Sequence, residues 1–192
     1  MWKNLLMLLL LLAFCTAGCQ KQYVEKTSGV AYQVVDSQGT VIKFAQKPQR
    51  IMTTHFNLDN IVMGLVDEER VVALSKSMYD ASVSYISTEA IKKPTKLNYD
   101  FSSEQVLALK PDLIIAREST GENRIQTYRA MGIPVYVVSN ANNVEEIKKQ
   151  IQEIGQAVGE SERAEKLQQR MQTQLAVSYT HLRAHETKAN LV

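Results

Sequence analysis

A chain of 192 residues with 22 lysines and arginines against 20 acids has a net charge of only +2. That balance excludes the broad basic face of a nucleic-acid binder and the acidic blocks of a polyanionic tail. Apolar residues make up 45% of the chain, which suits a globular protein with a packed core.

The N-terminus is unlike the rest. Lys3 is followed by an apolar run from Leu5 to Phe14, then Thr16, Ala17, Gly18 and Cys19, with polar sequence from Gln20. The run is shorter than the roughly 20 residues that cross a bilayer and reads as an export signal. Small residues directly before a cysteine resemble a bacterial lipobox, with Thr16 where leucine is usual. The resemblance implies a signal peptide over 1–18, cleavage before Cys19 and a lipid on its thiol, anchoring the exported chain to the cell membrane. An ordinary cleaved signal with Cys15 and Cys19 incidental is the alternative. With Cys15 removed and Cys19 alkylated, no thiol remains for a disulfide, a metal or a nucleophile.

Residues 19–30 are polar and aperiodic, as a flexible tether would be. Ala31 to Val35 and Val41 to Phe44 are β-rich runs separated by Asp36, Ser37, Gln38 and Gly39, a hairpin signal. From Arg50 the pattern alternates: a strand over Ile51 to Thr54, a helix over Leu58 to Leu65 and a strand over Val71 to Leu74. Ser102 and Gln105 form a capping-box pattern for a short helix whose inward face is Val106, Leu107 and Leu109. Pro111 ends that helix and makes Lys110 turn the chain, because the residue before proline is pushed out of the α region. Leu113 to Ala116 is then a continuous apolar run, the mark of a strand covered on both faces. A helix over Glu122 to Met131 and a strand over Val135 to Val138 follow. Such alternation predicts an α/β fold, a Rossmann-like parallel sheet with flanking helices.

Asn142, with Glu145 three residues on, is read as the cap of a helix whose apolar stripe is Val144, Ile147, Ile151, Ile154 and Val158. Gly159 ends or kinks that helix, and Ser161 caps another running through Ala164, Leu167 and Met171 toward Leu175. This last helix has few apolar positions and no evident surface to pack on. Val177 to Thr187, VSYTHLRAHET, resembles the translation of a transposase adapter used in sequencing-library preparation. Residues 177–192 are therefore set outside the fold as a tail without ordered structure, and His181 and His185, at i and i+4, are not read as a metal site.

No glycine-rich phosphate loop, nucleophile elbow or Cys/His cluster is present, so the sequence offers no catalytic constellation, no cofactor and no metal site. What remains is polar and aromatic sequence just past the strand ends: Thr54 and His55, Ser75 and Lys76 with Tyr79, Arg117 to Ser119, and Ser139 with Asn140. Parallel strands bring such loops to one edge, where α/β sheets bind ligands. His55 can donate to a ligand or bind a metal, or buttress the following helix. Tyr79 can stack on a planar ligand or lie on the surface. Arg117 can pair with a carboxylate or phosphate, or with neighbouring Glu118.

The series KPQRIMTTHFNLDNIVMGL, ERVVALS, FSSEQVLALKPDLIIA, MGIPVYVV and VEEIKKQIQEIGQAVGESERAEKL resembles the solute-binding proteins of ABC importers for ferric siderophores, haem and cobalamin. It covers about Ala31 to Leu175, and its strength lies in the order and spacing of individually weak motifs. The resemblance implies two α/β lobes joined by a long helix, a ligand held between them, and docking on an ABC permease. The chain then corresponds to the N-terminal lobe, 31–158, and the start of the joining helix, 159–176. The expected ligand is an iron chelate, haem or a corrinoid, held by Thr54, His55, Lys76, Tyr79 and Arg117, and no catalysis is implied. Glu104 falls on the acidic position that meets permease arginines in the family. Asp59 stands in the position of the family's glutamate, where the first ligand loop departs from the usual S-P-S-x-T-E. A free-metal-ion receptor using His55, an exported α/β enzyme and an inactive lobe with an uncovered joining helix are the alternatives.

Overall fold

The computed structural model describes residues 29–84, 94–98 and 101–189. The expected signal peptide, the expected lipidation site Cys19 and the expected tether up to Ser28 lie outside these residues. Strands β1 (Tyr32–Val35) and β2 (Val41–Phe44) form an antiparallel hairpin, with Val35 opposite Val41. Asp36 fixes its turn, accepting from the backbone N–H groups of Gln38 and Thr40. Arg129 makes a 2.9 Å ion pair with the same carboxylate and ties the hairpin to the body.

Five parallel strands follow: β3 (Ile51–Thr53), β4 (Val71–Ser75), β5 (Thr95–Leu97), β6 (Leu113–Arg117) and β7 (Val135–Val138), in the order β5-β4-β3-β6-β7. The chain leaves β3 toward β4 and β5, then returns to the other side of β3 for β6 and β7. Right-handed crossovers in opposite directions place their helices on opposite faces. Alternation along the strands shows it: Ile51, Leu113 and Ile115 belong to one apolar cluster, Met52, Ile114 and Ala116 to the other. The first is covered by α1 (Phe56–Leu65), α4 (Val144–Ala157), α5 (Ser161–Ala189) and the hairpin. The second is covered by α2 (Ser103–Leu109) and α3 (Glu122–Ala130). Leu113 to Ala116 are accordingly all fully buried.

The L-x-P-D-L turn has a physical reason. Lys110 adopts left-handed geometry, φ 47°, since the following proline disfavours the α region. Arg50 covers the freed helix carbonyls, Nε to Lys110 O at 2.8 Å and Nη2 to Leu109 O at 2.5 Å. Asp112 accepts from the N–H groups of Gln49 and Arg50 at 2.8 Å each, so the turn is bolted to the entry of β3. The capping box of α2 forms as its sequence predicts, with Gln105 N donating to Ser102 Oγ and Ser102 N to Gln105 Oε1. Leu107, expected inward, is instead 50% exposed; on a seven-residue helix only Val106 faces squarely into the core, and Leu109 packs at its margin.

The caps of the last two helices differ by one residue from the sequence reading. Asn143, not Asn142, caps α4 by accepting from Glu146 N at 2.9 Å, while Asn142 N donates to the Glu146 carboxylate. Glu160, not Ser161, precedes α5 and takes the Ala164 N–H on its carbonyl. Between them Gly159 has φ +74°, the left-handed conformation that ends a helix most cheaply at glycine. Arg70 locks this corner, donating to Pro48 O, Val158 O and Glu160 Oε1 at 2.8, 2.7 and 2.6 Å. Burial pushes the Glu160 carboxyl up, but the hydrogen bonds and charges of Lys47 and Arg70 outweigh it and hold it below its usual range.

One expectation about the C-terminal region is overturned. The joining helix does have a surface to pack on: Ala164 is fully buried, and Leu167 and Met171 are partly buried against the same cluster as α1 and α4. A Cβ on Gly155 would lie 2.4 Å from that of Ala164, so glycine is what permits the close approach. The helix runs past Leu175 to Ala189. Residues 177–189 contain neither glycine nor proline, and alanine, leucine, arginine, glutamate and lysine sustain helix whatever their origin.

Candidate functional site

Parallel strands all end on the same side, so the loops after β3, β4, β5, β6 and β7 share one edge. Neighbouring strands lie about 4.8 Å apart, which makes five of them a rim roughly 19 Å long. The topological switch point lies between β3 and β6, where connections depart in opposite directions and a crevice opens outside the strand ends. Thr54 Oγ1 and Thr120 Oγ1 bond across that point at 2.8 Å.

His55 occupies the position before α1, with its carbonyl accepting the N–H groups of Leu58 and Asp59. Its side chain does not cap the helix; Nδ1 lies 3.0 Å from Thr54 O. Thr54, His55, Ser75, Asn98 and Phe101 line a small hollow of about 10 Å³ between the ends of β3, β4 and β5. Beneath it lies Asp59, 1% exposed, accepting from Thr53 Oγ1 at 2.5 Å and Ser75 N at 2.9 Å. Burial raises its carboxyl to about 6, against the opposing hydrogen bonds from Ser75 and Thr53. Asp59 therefore fastens the end of β3 to the end of β4 under the rim.

Along the rim past β4, a short 3-10 turn (Lys76–Tyr79) carries two of the expected residues. The Tyr79 ring is partly buried against the core, its hydroxyl donates to Pro94 O at 2.8 Å, and burial raises its pKa. Lys76 is exposed and lines two adjoining hollows, one of about 580 Å³ with Tyr79 and Asp80, the other of about 370 Å³ with Asn98 and Phe101. Lys96 lines both as well, with its ammonium 4.2 Å from the centre of the Tyr79 ring.

Arg117 stands at the end of β6, half-buried, on the far side of the switch point. Its pairing with Glu118 does not form: Nε donates to Asn140 Oδ1 at 3.1 Å, while Glu118 accepts from Ser139 Oγ. The structure thus joins Thr54 with His55 in one hollow and Lys76 with Tyr79 in another, with Arg117 apart from both. Glu104 lies exposed in the first turn of α2, and the Ser102 hydroxyl holds its carboxyl below the usual range.

Lys96, Asn98 and Phe101 were not among the residues expected at the site. Their common signal is β5, a strand of three residues after Pro94, too short to show a period. A larger hollow, about 940 Å³, is not on this rim. It lies at the opposite end, between the hairpin and the start of α5, among Tyr32, Lys47, Glu160 and Arg163, and these charges answer one another. Among the described residues no three His, Cys, Asp or Glu side chains converge as a metal site.

An uncharacterised ABC transporter substrate-binding lipoprotein of Bacillus subtilis, YvrC, is 26% identical over 178 residues, 87% of this chain and 54% of its own length. A cobalamin-binding protein of Halobacterium salinarum is 24% identical over 65% of this chain and 33% of its own length. The chain thus spans between a third and about half of the curated relatives it matches. A periplasmic heme-binding protein of Pseudomonas aeruginosa shares the fold with TM-score 0.62 and 22% identity, over 73% of this chain and 49% of that one. A periplasmic solute-binding protein of Veillonella parvula gives TM-score 0.60 and 21% identity, over 76% and 46%. Residues 52–181, from the second residue of β3 into α5, match the family described as periplasmic binding protein. With the parallel sheet, its polar rim and the long final helix in agreement, the chain belongs to the periplasmic binding protein family.

Proposed function

We propose that the chain is the first ligand-holding lobe of a lipid-anchored solute-binding protein, capturing an iron chelate, haem or a corrinoid for an ABC permease. The observation that carries this reading is the convergence of five strand ends on one rim, where polar, aromatic and cationic side chains line open hollows. The relatives support the ligand class: one is a cobalamin-binding protein, and a structure sharing the fold is a heme-binding protein. Joining the lobe to a second one suits α5, which returns antiparallel to α4 and so rises toward the rim. On this reading Cys19 carries the lipid, and Thr54, His55, Lys76, Tyr79 and Arg117 contact the ligand. Exposed Glu104, beside the rim on α2, meets the permease.

The test is titration of the purified chain with haemin, a ferric hydroxamate siderophore and cyanocobalamin, followed by absorbance. One of them should bind saturably, and the His55→Ala, Tyr79→Ala, Arg117→Ala triple variant should weaken it at least about tenfold, the scale of 1.4 kcal/mol. Undiminished binding by the triple variant would remove these residues from the site. No saturable binding to any of the three would sink the reading for this chain. Glu104→Ala should leave affinity unchanged and reduce the permease's ATP hydrolysis, and full stimulation by that variant ends the docking role.

A further inference from the structure

We propose that Lys76 and Lys96 form a two-lysine anion site at the β4–β5 end of the rim, so that the captured ligand is a chelate bearing carboxylates. This rests on the functional reading above and narrows it: a chelate with free acid groups is favoured over one whose periphery is neutral.

Both lysines line both of the hollows at that corner, which makes them the side chains the two spaces share. The Leu74↔Lys96 register sets Lys96 beside the end of β4, two residues before Lys76. Among the described residues neither ammonium is in an ion pair. Among the described residues the acid lining these spaces is Asp80, and its carboxylate is turned to its own loop, accepting from Ser82 N at 2.9 Å and Ser82 Oγ at 2.6 Å.

Lys96 is also held in place. A ring with its quadrupole toward a cation fixes that cation's position, and the Tyr79 ring is itself anchored by core packing and by its bond to Pro94 O. Two like charges around one hollow repel each other until an anion enters between them, and a positioned ammonium such as that of Lys96 loses less freedom on binding than a mobile one. Ammonium groups recognise oxyanions as point charges and accept a range of carboxylate orientations.

Two measurements on the purified chain test this. In the first, tricarballylate, three carboxylates without a metal, is titrated at constant ionic strength while the lysine side-chain nitrogens are followed by NMR. Lys76 and Lys96 should shift saturably, and Lys43 and Lys149, elsewhere on the surface, should not. A parallel drift of all lysines, or no shift at Lys76 and Lys96, overturns the site. In the second, haemin is compared with its dimethyl ester, which keeps the macrocycle and loses both acid groups. The acid should bind about tenfold more tightly or better, and the Lys76→Gln, Lys96→Gln double variant should erase the difference. Equal affinity for acid and ester, or a difference that survives in the double variant, also overturns it. Should tricarballylate shift the two lysines while no chelate binds, the anion site stands and the ligand-capture reading fails.

Discussion

Asp59 is where the rim meets the core. Its carboxylate joins Thr53 Oγ1 and Ser75 N from two strands, yet it is nearly free of solvent contact. Burial raises its pKa from 3.8 to about 6, so the folded state holds the proton more tightly than the unfolded chain. The stability this contributes is fully present below pH 3.8 and is lost as pH rises through about 6. The shift corresponds to roughly 3 kcal/mol. Asp59→Asn cannot titrate. Urea unfolding should therefore show the variant gaining on the parent between pH 4 and pH 7.5 by up to that amount, and a pH-independent difference would mean the carboxyl is not raised. In sequence Asp59 reads only as a departure from the family's glutamate on a helix face, because nothing local says that β4 will close over it. His55, Thr54 and Lys76 were legible at the strand ends for a simpler reason: a polar residue after an apolar run marks where a strand leaves the core. Arg117 was legible as a rim residue but not in its partner, since Asn140 reaches it only through the pairing of β6 with β7.

The elements most readable in sequence are those with local causes. The capping box of α2, the proline-forced turn at Lys110 and the apolar run of β6 each depend on neighbours in the chain, and each forms. The register of α5 against α4 depends instead on Gly155, a residue with no side chain to enter a periodic pattern. There the packing makes a sharp demand. Gly155→Ala should destabilise the fold by roughly 1–3 kcal/mol through overpacking against Ala164, although alanine is the better helix former by about 1 kcal/mol. Ala164→Gly alone should also destabilise, by at least the helix-propensity loss. Combined, the two exchange the methyl between facing positions, so the double variant should be more stable than the sum of the single costs by about 1 kcal/mol or more. Strict additivity in a denaturation cycle would show that the two helices do not meet at this point. β5 is the opposite failure of legibility: three residues on an outer strand bring Lys96 to the rim, and three residues cannot display an alternation.

At the scale of the whole molecule, strand–helix alternation made the parallel sheet legible, whereas the order of its strands came only from the structure. Order is what puts the switch point between β3 and β6 and so separates Arg117 from the Lys76 corner. It also fixes what α5 does. This helix of 29 residues is roughly 43 Å long, but among its described side chains those packed on the core cluster, Ala164, Leu167 and Met171, lie in its first eleven residues. Gln172, Thr173, Gln174, Ala176, Val177 and Ser178 beyond them are exposed. A helical segment without tertiary contacts rests on intrinsic propensity alone, and in water that is marginal for a stretch of this length. Native-state hydrogen exchange should therefore divide α5 near Met171. Amides from Ala164 to Met171 should open only with α1 and α4, at free energies approaching global unfolding, and those from Thr173 to Ser178 should exchange through local fraying several kcal/mol lower. A chain cut after Leu175 should then keep its unfolding midpoint while losing helical signal. Core-like protection beyond Met171 at low protein concentration would contradict this division and mean that the lobe itself supports the whole rod. If that protection appeared only as concentration was raised, a second copy would be covering the exposed face.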